Sequence, residues 1–342
     1  MTAGPKVIAV GASAGGVEAL QRLCAGLPGD LDAAVLVVLH VAPTGMSVLP
    51  SILSRAGALP ACVPIDGEPI SPGNVYVAPP DRHLEVSDGR LFVGFGPREN
   101  GHRPAVDPLF RSVARAYGRR GAGVILSGTR DDGAIGLCEI RDAGGWAIVQ
   151  DPQDALYDGM PRSALMATAA DAVLPIAGIA EAIVELVRDG RLPDGLGEAL
   201  SVRDDGLVPG ASSSGDPDPD IPDSSSGVTA ALQMSCPECS GVLTEISHHP
   251  VPQFRCQVGH QYSIEHLVEA QGRALEEALW AAIRSLEERA LLLRRAADRA
   301  GRGGHALAAK NLRRQSTECH DRADVVRRAL PTLVVVDGSL VT

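Results

Sequence analysis

The chain is poor in aromatic residues, which make up only 3% of its 342 residues, whereas Ala, Val, Leu and Gly are abundant. This composition favours a buried parallel sheet packed against helices over a β-sandwich. No apolar run approaches the roughly 18 residues that a membrane span requires, so we expect no membrane insertion. The formal net charge is -11, which argues against nucleic-acid binding.

We also expect no secretory leader, because the segment Met1–Lys6 leads at once into an apolar run typical of a strand. We therefore expect a cytoplasmic protein with roughly one to three domains. The chain has seven cysteines. In a reducing compartment these are expected to be free thiols or metal ligands rather than disulfides.

The most informative segment is Gly11–Gly16, which follows the apolar run Val7–Val10 and contains a G-x-S-x-G pattern. The pattern predicts a strand, a sharp turn that carries Ser13, and a helix. At such a turn the serine hydroxyl is exposed and backbone N–H groups can face an oxyanion, which is typical of a nucleophilic serine. Two alternatives remain, a dinucleotide-binding glycine loop and a plain strand-to-helix turn with a capping serine.

The second predicted strand, residues 33–39, ends in His40 rather than in an acidic residue. A dinucleotide-binding loop is expected to have Asp or Glu there to bind a ribose hydroxyl, so His40 weakens that alternative. Because the carboxyl ends of parallel strands meet at one edge of a sheet, His40 is expected near Ser13, where it can act as a general base. A histidine that simply ends a strand is the simpler alternative.

A further strand–turn–helix pattern spans residues 124–134, with Asp131 and Asp132 at the predicted start of the helix. Either carboxylate can orient the histidine of a Ser-His-Asp triad. Asp is also a preferred helix N-cap, and one carboxylate can cap while its neighbour turns into the site. The chain order Ser, His, Asp differs from the Ser, Asp/Glu, His order of α/β-hydrolases, so membership of that superfamily is not expected.

Strand-like runs alternate with helical patterns from about residue 5 to residue 188, which predicts an α/β fold with a doubly wound, mostly parallel sheet. The predicted strands are 6–10, 33–39, 61–65, 74–78, 122–127, 146–150 and 172–174. The predicted helices are 15–26, 46–56, 107–118, 133–143, 161–168 and 178–189. Residues 80–98 are typical of a hairpin insert with its turn at Ser87–Gly89.

Several motifs, in register along residues 5–188, resemble those of the chemotaxis protein-glutamate methylesterases. The family has a G-A-S-[TA]-G-G turn, a V-V-x-H strand end, an H-R-P-S-V-D segment and a G-x-x-x-D-G-A loop. The corresponding segments here are Gly11–Gly16, Val37–His40, His102–Asp107, Gly128–Ala134, and Asp151–Pro152 with Tyr157–Pro161.

The resemblance implies a serine hydrolase in which Ser13 is the nucleophile, His40 the general base and then acid, and Asp132 the orienting carboxylate. Asp132 is preferred to Asp131 because the family's aspartate directly precedes Gly-Ala. The implied reaction is hydrolysis of protein glutamate methyl esters through an acyl-enzyme, with methanol leaving first and no catalytic cofactor. Glutamine deamidation would share the same acyl-enzyme.

The resemblance also indicates an oxyanion hole formed by backbone N–H groups near Ala14 and in the turn 128–130. The segments 102–107 and 157–161 are expected to shape the pocket, with plain loop packing as the alternative. The residues expected at the oxyanion hole or pocket are Ala14, Gly128, Thr129, Arg130, His102 and Met160.

The chain departs from the family pattern at the third loop, where typical members have T-G-M-G-x-D-G. Thr129 stands in place of the Met and Arg130 in place of the following Gly, so we expect Arg130 either to change substrate choice or to pair with Asp131. Members in chemotaxis usually begin with a phospho-acceptor receiver domain, which this chain is not expected to have. The expected partner is a methylated chemoreceptor or related signalling protein. Hydrolysis of a different ester and a non-catalytic scaffold role are the alternatives.

A separate C-terminal pattern, C-x2-C-x16-C-x3-H, comprises Cys236, Cys239, Cys256 and His260. Its spacing predicts a small Cys3His zinc-ribbon-like module with a structural Zn²⁺, because thiolates and imidazole bind tetrahedral zinc and four protein ligands leave no open position. Buried free cysteines are the alternative. His248 and His249 are alternative fourth ligands that lie outside the paired spacing.

The predicted domains are a catalytic domain at 1–188, an acidic Ser/Pro/Gly linker at 189–233, the zinc-ribbon-like module at 234–263, a helical hairpin at 264–333 and a tail at 334–342. The linker has few large apolar groups, so we expect it to be disordered. Apolar residues at helical spacing predict the hairpin, which either self-associates or caps the module as two surface helices.

Overall fold

The computed structural model describes residues 6–42, 47–193, 234–246 and 252–334. It divides into two compact units, Met1–Ser263 and Ile264–Thr342. Most of the predicted linker and tail, and the alternative ligands His248 and His249, lie outside the described residues. No helix of the described ranges is long and apolar enough to cross a membrane.

A seven-stranded sheet forms the centre of the first unit, and every neighbouring pair of strands in it is parallel. Its strands are β1 (Val7–Ala12), β2 (Ala34–Leu39), β3 (Ala61–Cys62), β4 (Val75–Val77), β7 (Gly121–Ile125), β8 (Trp146–Gln150) and β9 (Ala172–Leu174). The spatial order is β3-β4-β2-β1-β7-β8-β9. The strand order therefore reverses direction between β1 and β7, which is where open α/β sheets form their sites.

Helices cover both faces of this sheet. They are α1 (Gly16–Gly26), α2 (Leu49–Ala56), α3 (Val106–Tyr117), α4 (Ala134–Asp142), α5 (Gly159–Ala167) and α6 (Ile176–Asp189). One buried cluster joins Ile8 and Val10 of β1 to α1, α2 and α6, and another joins Val7 and Ala9 to α3, α4 and α5. Successive β1 residues thus pack on opposite faces, as expected of a strand buried on both sides. The predicted parallel α/β architecture is confirmed.

Element bounds differ most at the sheet edge. The predicted strand 61–65 pairs only over Ala61–Cys62, because Pro64 lacks the N–H that a longer ladder needs. The strand predicted at 122–127 ends at Ile125, and the helix predicted at 178–189 begins at Ile176, directly after Pro175. The predicted hairpin insert is present as β5 (His83–Ser87) and β6 (Arg90–Gly94), paired antiparallel.

The first unit also contains a small antiparallel sheet, which we call the cysteine module (234–246 and 252–263). Its strands are β10 (Leu243–Glu245), β11 (Gln253–Cys256) and β12 (Gln261–Ser263). The second unit consists of α7 (Ile264–Arg302) and α8 (Ala306–Val334). These two helices pack antiparallel, with Ile283 against Ala323 and the Ser316 hydroxyl donating to the Ala290 carbonyl at 2.7 Å.

Candidate active site

Three loops at the carboxyl ends of β2, β1 and β7 bring Ser13, His40 and Asp132 together. These strands are immediate neighbours, so the residues that follow them meet at one edge of the sheet. Ser13 follows β1 and His40 follows β2 directly, whereas Asp132 comes seven positions after the end of β7 and directly before Gly133.

The three side chains form a hydrogen-bonded chain. The His40 Nδ1 atom lies 3.1 Å from the Ser13 Oγ atom, and the His40 Nε2 atom lies 2.7 Å from the Asp132 Oδ2 atom. An ionised carboxylate can only accept, so Nε2 carries the proton that it donates to Asp132, and Nδ1 is free to accept from the serine hydroxyl. This arrangement can activate the hydroxyl as a nucleophile.

Asp132 is fully buried at the N-terminus of α3. Its Oδ2 atom accepts from the Val106 N–H at 2.7 Å, and its Oδ1 atom accepts from the Asp107 N–H at 3.3 Å. Burial acts to raise the pKa of the Asp132 carboxyl, but the hydrogen bond and charge of His40 and the Val106 N–H outweigh it, so that pKa lies well below its usual range. The carboxylate therefore stays ionised.

The helix-cap expectation for this loop is wrong in one respect. The N-cap of α4 is Gly133, and no side chain caps that helix. Asp132 instead satisfies the first N–H groups of α3, a different helix. Asp131 accepts the Ala134 N–H through its backbone carbonyl at 3.0 Å. Of the two adjacent aspartates, Asp132 contacts His40 through its carboxylate.

The imidazole of His102 stacks on that of His40, with ring centroids 3.8 Å apart and an angle of 8° between the planes. This contact adds to the two ring-nitrogen hydrogen bonds of His40 and fixes the tilt of its ring. The charge of His102 also helps to lower the pKa of Asp132. The segment that contains His102 thus contributes to the site.

Close packing around Ser13 requires glycine at positions 15 and 128, which are far apart in sequence. A Cβ atom at Gly128 would lie 2.1 Å from the Met160 Sδ atom and 2.9 Å from the Ser13 Cβ atom. Gly15 has a φ of 71°, and a Cβ atom there would lie 2.7 Å from the Ser127 Oγ atom. The serine turn and the third loop therefore approach more closely than any larger residue would permit.

Comparison with known proteins places these features in a family. The family model described as CheB methylesterase matches residues 8–183, which is just over half of the chain. The chain belongs to the CheB methylesterase family. Its matched region contains the parallel sheet except for Val7, the first residue of β1, and it includes Ser13, His40 and Asp132.

Relatives and a solved structure agree with this assignment. A protein-glutamate methylesterase/protein-glutamine glutaminase 3 of Anaeromyxobacter dehalogenans is 48% identical over 185 residues, which are 54% of this chain and 54% of that protein. A protein-glutamate methylesterase/protein-glutamine glutaminase 4 of Myxococcus xanthus is 42% identical over 54% of this chain and 52% of its own length. The crystal structure of the Thermotoga maritima CheB methylesterase catalytic domain is 34% identical, with a TM-score of 0.52, and covers 54% of this chain and 99% of that domain.

The chain spans about half the length of the curated relatives that it matches. The similarity covers the CheB-type domain and leaves out the cysteine module and the helices α7 and α8, which lie beyond the matched residues.

One expectation about the oxyanion hole needs correction. The Gly128 N–H donates to the Tyr157 carbonyl at 3.0 Å, and the Gly128 carbonyl accepts from the Met160 N–H at 2.8 Å. The backbone of Gly128 is therefore used to attach the third loop to the segment before α5, and its N–H is engaged away from an incoming oxyanion. Met160 is buried beneath this contact and acts as packing for the loop.

The other expected pocket residues lie beside the same loop. Thr129 is exposed and Arg130 is half-buried, with a φ of 67° at Arg130. The left-handed backbone at Arg130 is where typical members have glycine, so the substitution retains a conformation that glycine adopts more easily. A Cβ atom at Gly159 would lie 2.7 Å from the Arg130 backbone nitrogen, which shows how closely α5 approaches.

Sequence reasoning missed two residues of the site. Ser127 supports the serine turn, because its hydroxyl donates to the Ala14 carbonyl at 2.8 Å and accepts from the Tyr157 N–H at 3.0 Å. Asn100 donates its side-chain amide to the Asp132 Oδ1 atom at 3.2 Å. Ser127 could have been predicted, because it is a small polar residue between the apolar run and Gly128. Nothing in the sequence pattern linked Asn100 to Asp132.

The cysteine module brings Cys236, Cys239, Cys256 and His260 to one point. Their potential ligand atoms all lie within 4.8 Å of one another. The Cys239 and Cys256 sulfurs are 3.6 Å apart, and the His260 Nδ1 atom lies 3.5 Å from the Cys256 sulfur and 3.6 Å from the Cys236 sulfur. The outer ring nitrogen, Nε2, lies 3.3 Å from a carboxylate oxygen of Glu238.

Proposed function

We propose that this protein is a serine esterase that removes methyl groups from protein glutamate methyl esters. The observation that carries the proposal is the Ser13–His40–Asp132 hydrogen-bonded chain, with distances of 3.1 and 2.7 Å, inside a CheB methylesterase domain. The relatives named protein-glutamate methylesterase/protein-glutamine glutaminase support the same substrate class. A methylated chemoreceptor or related signalling protein is the proposed partner.

In the proposed reaction, the His40 Nδ1 atom accepts the proton of the Ser13 hydroxyl as Oγ attacks the ester carbonyl. The tetrahedral intermediate collapses, and the protonated Nδ1 gives its proton to the departing methoxide, so that methanol leaves an acyl-enzyme. Water then attacks the acyl group while Nδ1 takes one of its protons. Return of that proton to Oγ releases the free glutamate side chain and restores the serine. Asp132 holds the Nε2–H throughout.

The proposed oxyanion donors are the backbone N–H groups of Ala14 and Thr129. Neither group is engaged with an acceptor in the described part of the unit, in contrast to those of Ser13 and Gly128. Preorganised N–H donors of this kind stabilise the charge that develops on the carbonyl oxygen. Glutamine deamidation is proposed as a second activity, because ammonia can leave the same tetrahedral centre in place of methanol and yields the same acyl-enzyme.

The test is release of methanol from a methylated cytoplasmic receptor fragment. The native chain should release methanol, Ser13→Ala should release none above background, and Ser87→Ala, at the exposed hairpin turn, should match the native chain. Labelling by a serine-directed fluorophosphonate without methanol release would favour the alternative of a different ester. No labelling and no release would favour the non-catalytic scaffold.

The cysteine module is proposed to hold a structural Zn²⁺ through Cys236, Cys239, Cys256 and His260. Zinc bonds of about 2.3 Å to sulfur and about 2.0–2.1 Å to nitrogen place tetrahedral ligands about 3.5–3.8 Å apart. The observed separations of 3.5 and 3.6 Å between ligand atoms agree with that spacing. Glu238 beside the His260 Nε2 atom supports the proposal further, since zinc-bound histidines commonly donate their other N–H to a carboxylate.

Metal analysis of the purified full chain tests this site. We expect about one zinc ion per chain, a strong loss of zinc in Cys239→Ser, and full retention in Cys319→Ser, whose cysteine lies on α8. Equal zinc contents in the two variants would refute the ligand assignment. No zinc in the native chain would favour buried free thiols.

Docking or assembly is the proposed role of α7 and α8. Large apolar side chains remain exposed on α7, among them Leu275, Trp280 and Leu291, which is unusual for a surface without a partner. Self-association through these helices stays a prediction. Sedimentation of the native chain and of the double variant Trp280→Glu/Leu291→Glu tests it. These two exposed residues are eleven positions, or about three helical turns, apart and so share one face of α7, where charges should dissociate an oligomer without unpacking α7 from α8.

A further inference from the structure

Asn100 occupies a special place in the loop between β6 and α3. Its φ is 50°, a left-handed conformation that asparagine adopts more readily than most residues, and it is only 4% exposed. The adjacent Glu99 anchors the loop through a close two-oxygen contact with Arg111 of α3. Both the backbone and the side chain of Asn100 are thus held in one arrangement.

The side-chain amide of Asn100 uses all of its polar atoms. Its Oδ1 atom accepts from the Ser263 N–H at 3.0 Å, and its Nδ2 atom donates to the Asp132 Oδ1 atom at 3.2 Å and to the Asp107 Oδ2 atom at 3.3 Å. A reversed amide would place an oxygen against two carboxylates and an NH2 group against an N–H donor. The Ser263 N–H therefore fixes which way the amide points, and so aims a donor at Asp132.

The cysteine module supplies the other contacts of this loop. The Asn100 N–H donates to the Gln261 carbonyl at 2.8 Å, and the Gln261 N–H donates to the Arg98 carbonyl at 3.4 Å. Pro97 lies against Gly259, where a Cβ atom would approach the proline ring to 2.9 Å. The loop from Pro97 to Asn100 is thus paired with the module along its length.

We propose that Asn100 is a positioning residue for Asp132 and that the cysteine module holds Asn100 in place. Metal binding to the module then affects the geometry and reactivity of the Ser13–His40–Asp132 chain. This inference rests on the proposed function of the triad and on the proposed metal site. It assigns a second role to a module that lies outside the matched CheB methylesterase region.

The connection to the metal ligands is short. Cys256 ends β11, His260 precedes β12 directly, and the Cys256 N–H donates to the His260 carbonyl at 3.0 Å. A metal ion that joins these two side chains closes the turn between the strands, and the next residues along β12 are the ones that bond Asn100. Loss of the metal should loosen this turn and release the Asn100 amide.

Two substitutions at Asn100 test the first link. Asn100→Gly removes the amide and accepts the positive φ without strain, whereas Asn100→Asp keeps the acceptor for Ser263 and replaces the donor by a carboxylate oxygen. Asp88→Gly is the matched control, because Asp88 has a φ of 49° in the exposed hairpin turn.

The readouts are the second-order rate of Ser13 labelling by a fluorophosphonate probe and the downfield proton resonance of the His40 Nε2–H. Loss of a hydrogen bond to a charged group should lower the labelling rate about ten- to hundredfold in both Asn100 variants and shift that resonance, with Asp88→Gly unchanged. Where methanol release is measurable, the Asn100 variants should have a lower kcat than the native chain and an unchanged KM. Native labelling rates in a folded Asn100→Asp would overturn the proposal.

Metal removal tests the second link, with a chelator applied to the native full chain and to Asn100→Gly. We expect the labelling rate of the native chain to fall by a similar factor on chelation, and that of Asn100→Gly to change little further, because both perturbations act through one contact. Equal additional losses in both proteins, or no effect of chelation on the native chain, would overturn the coupling. A chain purified without bound metal would overturn it as well.

These readouts separate the inference from the proposed function. Probe labelling and the His40 resonance report the state of the triad whether or not a glutamate methyl ester is the substrate. A chain that labels in the expected pattern but releases no methanol would refute the methylesterase proposal and leave the role of Asn100 standing. Methanol release together with unchanged labelling in both Asn100 variants would support the methylesterase proposal and refute the role of Asn100.

Discussion

Replacing Asp132 by asparagine should inactivate the site for a reason that the hydrogen bonds make explicit. Asp132 accepts four bonds, from the His40 Nε2–H and the Val106 N–H at Oδ2, and from the Asp107 N–H and the Asn100 amide at Oδ1. An asparagine has one acceptor oxygen and one NH2 group, so it can satisfy only one of these pairs of donors.

Each orientation of the new amide has its own cost. With the NH2 group toward His40, Nε2 must become the acceptor, and the proton moves to Nδ1, which can then no longer accept from Ser13. The buried Val106 N–H, which also bonds Oδ2, loses its acceptor in this orientation. With the oxygen toward His40, the NH2 group faces the donors of Asp107 and Asn100, and two buried donors lose their partner. At about 1–3 kcal/mol for each orphaned donor, the first orientation costs about 1–3 kcal/mol and the second about 2–6 kcal/mol, so the first should prevail.

The expected loss of activity is therefore large, and the expected loss of stability is about 1–3 kcal/mol. The corresponding Asp→Asn change in serine proteases lowers kcat about 10⁴-fold through the wrong histidine tautomer, and we expect a loss on the order of 10³–10⁴-fold here. The assay is the rate of Ser13 labelling by a fluorophosphonate, together with methanol release and the unfolding midpoint. The matched control is Asp131→Asn, one residue earlier, whose backbone carbonyl rather than carboxylate bonds the start of α4.

Two outcomes would refute this reasoning. Equal losses of activity in Asp131→Asn and Asp132→Asn would mean that the loop as a whole, and not the carboxylate on His40, controls the serine. A folded Asp132→Asn protein with near-native labelling would mean that the new amide presents its oxygen to His40, so that His40 keeps its tautomer, and that the cost assigned to that orientation is wrong.

Two further predictions concern packing and pH. Gly128→Ala should destabilise the protein by about 1–3 kcal/mol and slow Ser13 labelling, because the new methyl group overlaps Met160 and presses on Ser13. Gly94→Ala is the control, since a Cβ atom there meets no described atom within 4 Å. Thermal melts and labelling assays should show no change in the Gly94→Ala variant. For Asp107, burial and then the charge of Asp132 raise the pKa well above its usual value, so the folded protein binds this proton more tightly than the unfolded chain and loses stability as pH rises above about 3.9. Asp107→Asn should therefore show a less negative slope of unfolding free energy against pH in denaturant titrations, and parallel slopes would contradict the shift.

The sequence was sufficient for the sheet and for the three residues that follow its strands. The pattern at the end of each strand is local in sequence and predicts these positions. An apolar run followed by a polar residue marks the carboxyl edge of the sheet, where Ser13 and His40 meet. The choice between Asp131 and Asp132 needed the family resemblance, since both satisfy the local pattern. The structure separates them by which one reaches His40.

What the sequence could not show are contacts between segments distant along the chain. The N–H groups of Val106 and Asp107 bond Asp132 from a helix that begins 26 residues earlier, and no periodicity predicts that geometry. The Asn100–Ser263 bond spans 163 positions. The Gly128 N–H was expected in the oxyanion hole from its place in the turn, but it donates to the carbonyl of Tyr157, 29 positions later in the chain.

The pair Asp107 and Asp132 explains why so many donors converge at this point. Two buried carboxylates share the Asn100 amide, and their mutual repulsion allows one to ionise readily only if the other holds its proton. The pKa of Asp132 lies below its usual range because His40 and the Val106 N–H stabilise its charge, and the charge so fixed raises the pKa of Asp107. The environments thus push two chemically identical groups apart, as in other sites that use paired carboxylates. A perturbation at Asn100 acts on both members of this pair, and its effect should therefore reach Ser13 through His40.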